Sequence, residues 1–146
     1  MKKIIIGTII LLIAISCNKE KGENICMFQT FSFFDKNGND LFNQNITNHL
    51  DTSDIKAYSL SGGEEGIVYG KFDGVYQFDI PINSVDYTTT IQLGEITTDT
   101  IFANYKEVGN SLFIHQVHYN GQLVMTNEQP TECGSGKVVS VVVKQD

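Results

Sequence analysis

Residues 112–126 read LFIHQVHYNGQLVMT, and the Asn120-Gly121 pair inside this stretch decides the fold class. A two-residue type I′ turn needs positive φ at both central positions, which asparagine and glycine adopt most readily. Residues 112–119 and 122–126 are therefore expected to be two antiparallel strands of one hairpin. Asp73-Gly74 gives the same signal between residues 67–72 and 75–82. In the second of these segments Val75, Gln77 and Asp79 alternate with Tyr76, Phe78 and Ile80, the period of a strand with one covered face.

The rest of the chain continues in this way. Residues 28–34 (FQTFSFF) are aromatic-rich, with Phe31 and Phe33 on one face, and lead into a polar turn at residues 35–40. Leu41 and Phe42 are a short apolar return before the irregular polar stretch 43–48. Residues 55–60, 88–93, 100–106 and 138–143 read as further strands, and Pro81 marks a strand end or an edge. A loop at residues 128–136 holds Pro130 and Cys133. No window sustains a helical period. About seven to nine short strands at regular spacing predict an all-β, antiparallel β-sandwich, immunoglobulin-like or transthyretin-like.

Composition narrows the functions. The 146 residues carry 10 basic and 17 acidic side chains, a formal charge of −7, and every basic side chain is lysine. Nucleic-acid binding needs basic stripes to neutralise phosphates, so that class is excluded as an expectation, as is a peripheral grip on anionic lipid.

The amino terminus carries an address. Lys2 and Lys3 precede an apolar run over residues 4–15, which is too short to span a bilayer, since a span needs about 20 residues. Ala14-Ile15-Ser16 then meet Cys17 and the charged stretch NKEKGE at residues 18–23. This pattern resembles the lipobox of bacterial lipoproteins; Ala14 stands where leucine is commoner. The resemblance implies cleavage before Cys17, a diacylglyceryl thioether on its thiol and acylation (palmitate) of the new amino terminus. The expected organisation is a signal peptide at residues 1–16, acylated Cys17 with a flexible tether at residues 17–25, and one sandwich domain at residues 26–146. The Lys/Glu-rich tether resembles the export signals that carry lipoproteins of Bacteroidetes-type bacteria to the cell surface. The strings FFDKNGNDLF, TDTIFANYK and HYNGQLV look like small lipoproteins of unknown function from the same group, which implies a β-sandwich and no activity.

With Cys17 given to lipid, Cys26 and Cys133 remain as an even pair in an oxidising compartment and are expected to form a disulfide. That bridge would hold the amino-terminal strand beside the carboxy-terminal one. A metal-binding or reactive pair has little support, because there is no CxxC and no nearby histidine.

Other motifs favour plain structural readings. Asp35, Asn37, Asn39 and Asp40 resemble the start of a calcium loop, but an EF-hand wants glycine at position 6 and glutamate at 12, where Asp40 and Ile46 stand. A polar turn accounts for the stretch. His115 and His118, three apart on a strand, are expected on opposite faces and so not as joint metal ligands; His49 is remote. Gly134-Ser135-Gly136-Lys137 lacks the earlier glycine, the following hydroxyl residue and the helix of a phosphate loop. Tyr58, Tyr69, Tyr76, Tyr87, Tyr105 and Tyr119 could make a sugar platform, yet sheet aromatics mostly fill cores. Asp99-Thr100-Ile101 resembles the short O-glycosylation sequon of Bacteroidetes-type bacteria.

The function expected from these readings is a non-enzymatic, lipid-anchored binding or accessory module of the outer membrane, displayed at the cell surface. It would need no metal or cofactor and would present loops or an edge strand to a protein or glycan partner. Exposed, unpaired aromatics would favour it. The alternative is an acidic inhibitor or immunity protein that blocks a basic enzyme such as a lysozyme, with acidic loops around Glu64, Glu65 and Asp73 converging at one end. A hydrolase would require a deep pocket with convergent polar groups.

Overall fold

The structure is a computed structural model and describes residues 24–82, 86–95, 97–130, 133 and 137–144. The signal-peptide, Cys17 and export-signal readings, and residues 134–136, lie outside the described residues. The strands are β1 (Asn24–Ile25), β2 (Phe28–Phe34), β3 (Ile55–Ser59), β4 (Glu64–Glu65), β5 (Val68–Phe72) and β6 (Val75–Pro81). They continue with β7 (Thr88–Leu93), β8 (Thr97–Val108), β9 (Ser111–Tyr119), β10 (Gln122–Thr126) and β11 (Val139–Val142). A 3-10 turn (Thr52–Asp54) leads into β3.

These strands form a two-sheet β-sandwich. The larger sheet runs β1-β9-β8-β7-β3-β4, with β10 also paired to β9, and the smaller runs β11-β2-β6-β5. Both hairpins marked by Asn/Asp-Gly form as expected: Asp73 and Gly74 have φ of 50° and 84°, Asn120 and Gly121 of 48° and 78°. A third tight hairpin joins β8 to β9 through Gly109 and Asn110, with positive φ at Gly109 alone. The sequence signal for it is the Gly-Asn pair. It makes β8 twelve residues long, where the sequence pattern marks only residues 100–106.

The sheets are mixed rather than wholly antiparallel. β1 pairs parallel with β9, and β11 pairs parallel with β2, Val139 opposite Phe31. Tight turns force consecutive strands to be antiparallel, whereas terminal strands have no hairpin to fix their direction. The amino-terminal segment begins in the larger sheet at Asn24, inside the stretch read as tether, and crosses to the smaller sheet at Cys26 and Met27. Cys26 N–H donates to Leu112 O at 3.0 Å, and Ile82 N–H to Met27 O. Cys26 and Cys133 are bridged, and β2 lies beside β11, as the cysteine count predicts.

The core sits between the sheets. Phe31, Phe33, Phe78, Ile80, Ile91, Leu93, Ile101 and Val117 are fully buried. Leu41 and Phe42 form no strand, but they enter the same core, with the Phe42 ring 4.4 Å from that of Phe78. Each large apolar side chain buried this way contributes about 1.5–3 kcal/mol.

Candidate functional site

The outer face of the small sheet follows from side-chain alternation. Phe31 and Phe33 on β2, and Phe78 and Ile80 on β6, point into the core. Their neighbours Phe28 and Thr30 on β2, and Gln77 and Asp79 on β6, therefore point outward. On β5 the register places Val68 opposite Asp79, Gly70 opposite Gln77 and Phe72 opposite Val75, so these three β5 residues share the outer face. Phe28, Val68 and Phe72 are 48%, 65% and 61% exposed, and Met27 at the crossover is 42% exposed. A cluster of large apolar side chains left in water on one face is a candidate interaction surface.

Two clefts cross this face. The larger, about 560 Å3, runs from the disulfide past Met27 and Phe28 to Val68 and Asp79. The smaller, about 250 Å3, lies over Gly70 between Val68 and Phe72, with Gln77 and Asp79 on its floor. They meet at Thr30, Val68 and Asp79. Gly70 opens the second cleft because it puts no side chain between its neighbours; a Cβ there would touch only the Phe72 ring, at 3.0 Å. Asp79 is half-buried, and its Oδ1 accepts the Thr30 hydroxyl at 2.6 Å. Among the described residues its other oxygen has no donor, and no histidine or lysine among them lines either cleft. The arrangement offers apolar walls and one half-free carboxylate, which suits binding of an apolar segment carrying a cation.

A second polar cluster is structural. Asp99, on the inward face of β8, is buried and accepts Tyr119 Oη–H, Asn120 Nδ2–H at 2.6 Å and Thr97 Oγ1–H at 2.7 Å. Asn120 Oδ1 in turn accepts the N–H of Thr100 at 2.8 Å, so the β9–β10 turn is tied to β8 from both sides. Burial, followed by the hydrogen bond to Asp99 and that carboxylate's charge, raises the Tyr119 hydroxyl far above its ordinary value. In the Asp99-Thr100-Ile101 sequon the Thr100 side chain is exposed, while Asp99 is engaged inside the fold.

The remaining sequence candidates are separated by the fold. Asp35 Oδ1 accepts N–H from Asn37 and Asn39 at 2.8 and 2.9 Å, and its Oδ2 accepts Asn39 Nδ2–H. These bonds, the Asn39 side chain first, lower the Asp35 pKa. Asp40 caps Phe42 N–H and Tyr76 N–H. Both carboxylates thus serve the polar turn, in which Gly38, with φ of 81°, takes the left-handed position. Among the described residues no three His, Cys, Asp or Glu side chains converge as metal ligands do. His49 lies on an exposed loop, 3.2 Å from Ile46 O.

The face assignment of the β9 histidines needs correction. Gln116 pairs with Asn104 but Ile114 pairs with Tyr105, so His115 is the extra residue of a β-bulge. Ile114 and Val117, three apart, both face the core, and strict alternation no longer separates His115 from His118. The two rings are still used differently. His115 Nδ1 meets Asn127 O at 2.8 Å, whereas His118 packs on Phe102 with centroids 5.9 Å apart.

Of the six tyrosines, Tyr69 alone is exposed, at 54%. The Tyr87 and Tyr105 rings pack tilted, with centroids 4.7 Å apart, and burial with the neighbouring Tyr87 pushes the Tyr105 hydroxyl up to about 12. The acidic residues of the inhibitor reading are divided between the sheets: Glu64 and Glu65 form edge strand β4 of the larger sheet, and Asp73 caps a hairpin of the smaller. Asp79 and Gly70 were not singled out from sequence, although the alternation in VYQFDIP already places Asp79 opposite the buried face. No protein-family model, curated protein or solved structure matches this chain.

Proposed function

We propose that this protein is a non-enzymatic binding module, held by a lipid on Cys17 to the bacterial outer membrane and displayed at the cell surface. The observation that carries the binding role is the exposed apolar face of the small sheet, with its two joined clefts and half-free Asp79. The lipobox pattern at residues 14–17 supports the anchor. The larger cleft begins at Ile25, Cys26 and Met27, next to the point where the tether enters the sheet. The chain from Cys17 to Asn24 reaches at most about 25 Å, so an anchored domain would work close to the membrane. Two or more acyl chains give stable anchoring where one gives marginal binding.

The test joins the two halves. Intact cells expressing wild type or Cys17→Ala are labelled with a palmitate analogue and then treated with protease. Wild type takes up label and is digested on whole cells, while Cys17→Ala takes up none and leaves the membrane fraction. A photo-crosslinking side chain at Phe72 yields a defined adduct in the envelope, and the same probe at Lys36 does not. Equal membrane retention of the two proteins refutes the anchor; identical crosslinking at Phe72 and Lys36 refutes the binding face.

A further inference from the structure

The edge of the small sheet indicates the kind of ligand. Among the described residues β5 is an edge strand, paired on one side to β6 only. Phe72 and Val75 flank the two-residue turn and so form a hydrogen-bonded pair; by alternation Gly70–Gln77 and Val68–Asp79 do the same. The N–H and C=O groups of Tyr69 and Lys71 then point away from β6, toward the open edge, and among the described residues neither enters a backbone bond beyond its own hairpin. Four of the five β5 side chains are exposed, and the glycine between them is half-buried. A free edge with alternating side-chain pockets is the geometry of strand addition.

An added strand has a fixed register against this edge. Its residues opposite Tyr69 and Lys71 make the main-chain bonds. The residue between them lies opposite Gly70 as a close, non-hydrogen-bonded pair, about 4.5 Å between Cα atoms, and projects onto the outer face. There it meets the cleft that Gly70 leaves open, which leads across Gln77 to the free oxygen of Asp79. Lysine or arginine has the length for that path and the charge for its end. The side chains two before and two after it would lie beside Val68 and Phe72, so apolar residues fit there.

We infer that the small sheet binds an extended protein segment added antiparallel to β5, with lysine or arginine entering the Gly70 cleft to pair with Asp79. This deepens the proposed binding role and rests on it. The protein's own negative charge, −7 in total, favours a basic partner segment in the same sense.

The experiment uses the full-length chain in detergent and three fluorescent probes. The first is the blocked heptapeptide Thr-Val-Thr-Lys-Thr-Val-Thr, the second replaces lysine by norleucine, and the third carries N-methyl groups on the two threonines flanking lysine. Anisotropy measures affinity, and amide shifts of Tyr69 and Lys71 report the edge. The lysine probe binds and moves those amides; the norleucine probe is about tenfold weaker, and the N-methylated probe weaker still. Asp79→Asn, which keeps the Thr30 partner, removes the preference for lysine. Gly70→Val fills the cleft at the cost of displacing only the exposed Phe72 ring; it keeps or raises the melting temperature and weakens the lysine probe. Equal affinity for lysine and norleucine, with Asp79→Asn silent, overturns the charge recognition. Failure of all three probes while Phe72 still crosslinks in the envelope overturns strand addition and leaves the broader binding role standing.

Discussion

Asp99→Ala tests whether the buried carboxylate is a structural tie. Wild-type Asp99 satisfies three donors, two of them on the β9–β10 turn region, at Tyr119 and Asn120. A hydrogen bond to a charged acceptor contributes about 1.5–3 kcal/mol, and an orphaned buried hydroxyl costs a similar amount. The Thr97 bond is local and is discounted. Taking the lower value for the other two gives a loss of about 3 kcal/mol, a large share of the roughly 5–15 kcal/mol that holds a domain folded. Tyr119→Phe removes one donor without orphaning Asp99 and costs about 1.5 kcal/mol. Because the two residues share one bond, the double variant is less destabilised than the sum, by about 1 kcal/mol. Urea unfolding measures all four proteins, with the slope unchanged if the denatured state is unaltered. A loss under about 1 kcal/mol for Asp99→Ala, or strict additivity in the cycle, refutes the reasoning.

Three further outcomes follow from the fold. Replacing Cys26 and Cys133 by alanine and serine opens a loop with a sequence separation of 107 and lowers stability by about 4–5 kcal/mol in the chain-entropy model, read by unfolding with and without reductant. In a tyrosine titration at 295 nm, Tyr105 and Tyr119 ionise above the ordinary tyrosine range; since both have raised values in the folded state, their stabilisation is full below about pH 10 and is lost as the pH climbs through about 12 for Tyr105 and higher for Tyr119. Ionisation of Tyr105 and Tyr119 at the ordinary tyrosine value, followed through Tyr105→Phe and Tyr119→Phe, rules this out. Asp35 works in the opposite sense: its lowered value gives stability that is present above about pH 4 and fades as the pH falls, and Asp35→Ala removes that acid limb from the stability profile equally with and without calcium.

Much of this protein was legible from local rules. Asn120-Gly121 and Asp73-Gly74 turn where positive φ is needed, and the alternation in FQTFSFF and VYQFDIP assigns inner and outer faces correctly. A turn depends on the φ preferences of two residues, and a face on a period of two, so neither needs information from far along the chain. The cysteine pairing was also readable, by parity once Cys17 is set aside.

Tertiary structure alone decided the rest. The parallel docking of β1 and β11 depends on which edges the hairpins leave open. The bulge at His115 reverses the parity that sequence alternation assumes. Asp99 meets Tyr119 and Asn120 across about twenty residues, and the clefts of the small sheet's outer face need Phe28, Gly70 and Asp79 from three strands. Such contacts join distant segments and carry a loop-closure cost, so they are set by the packing of the whole sandwich and leave no local trace in the sequence.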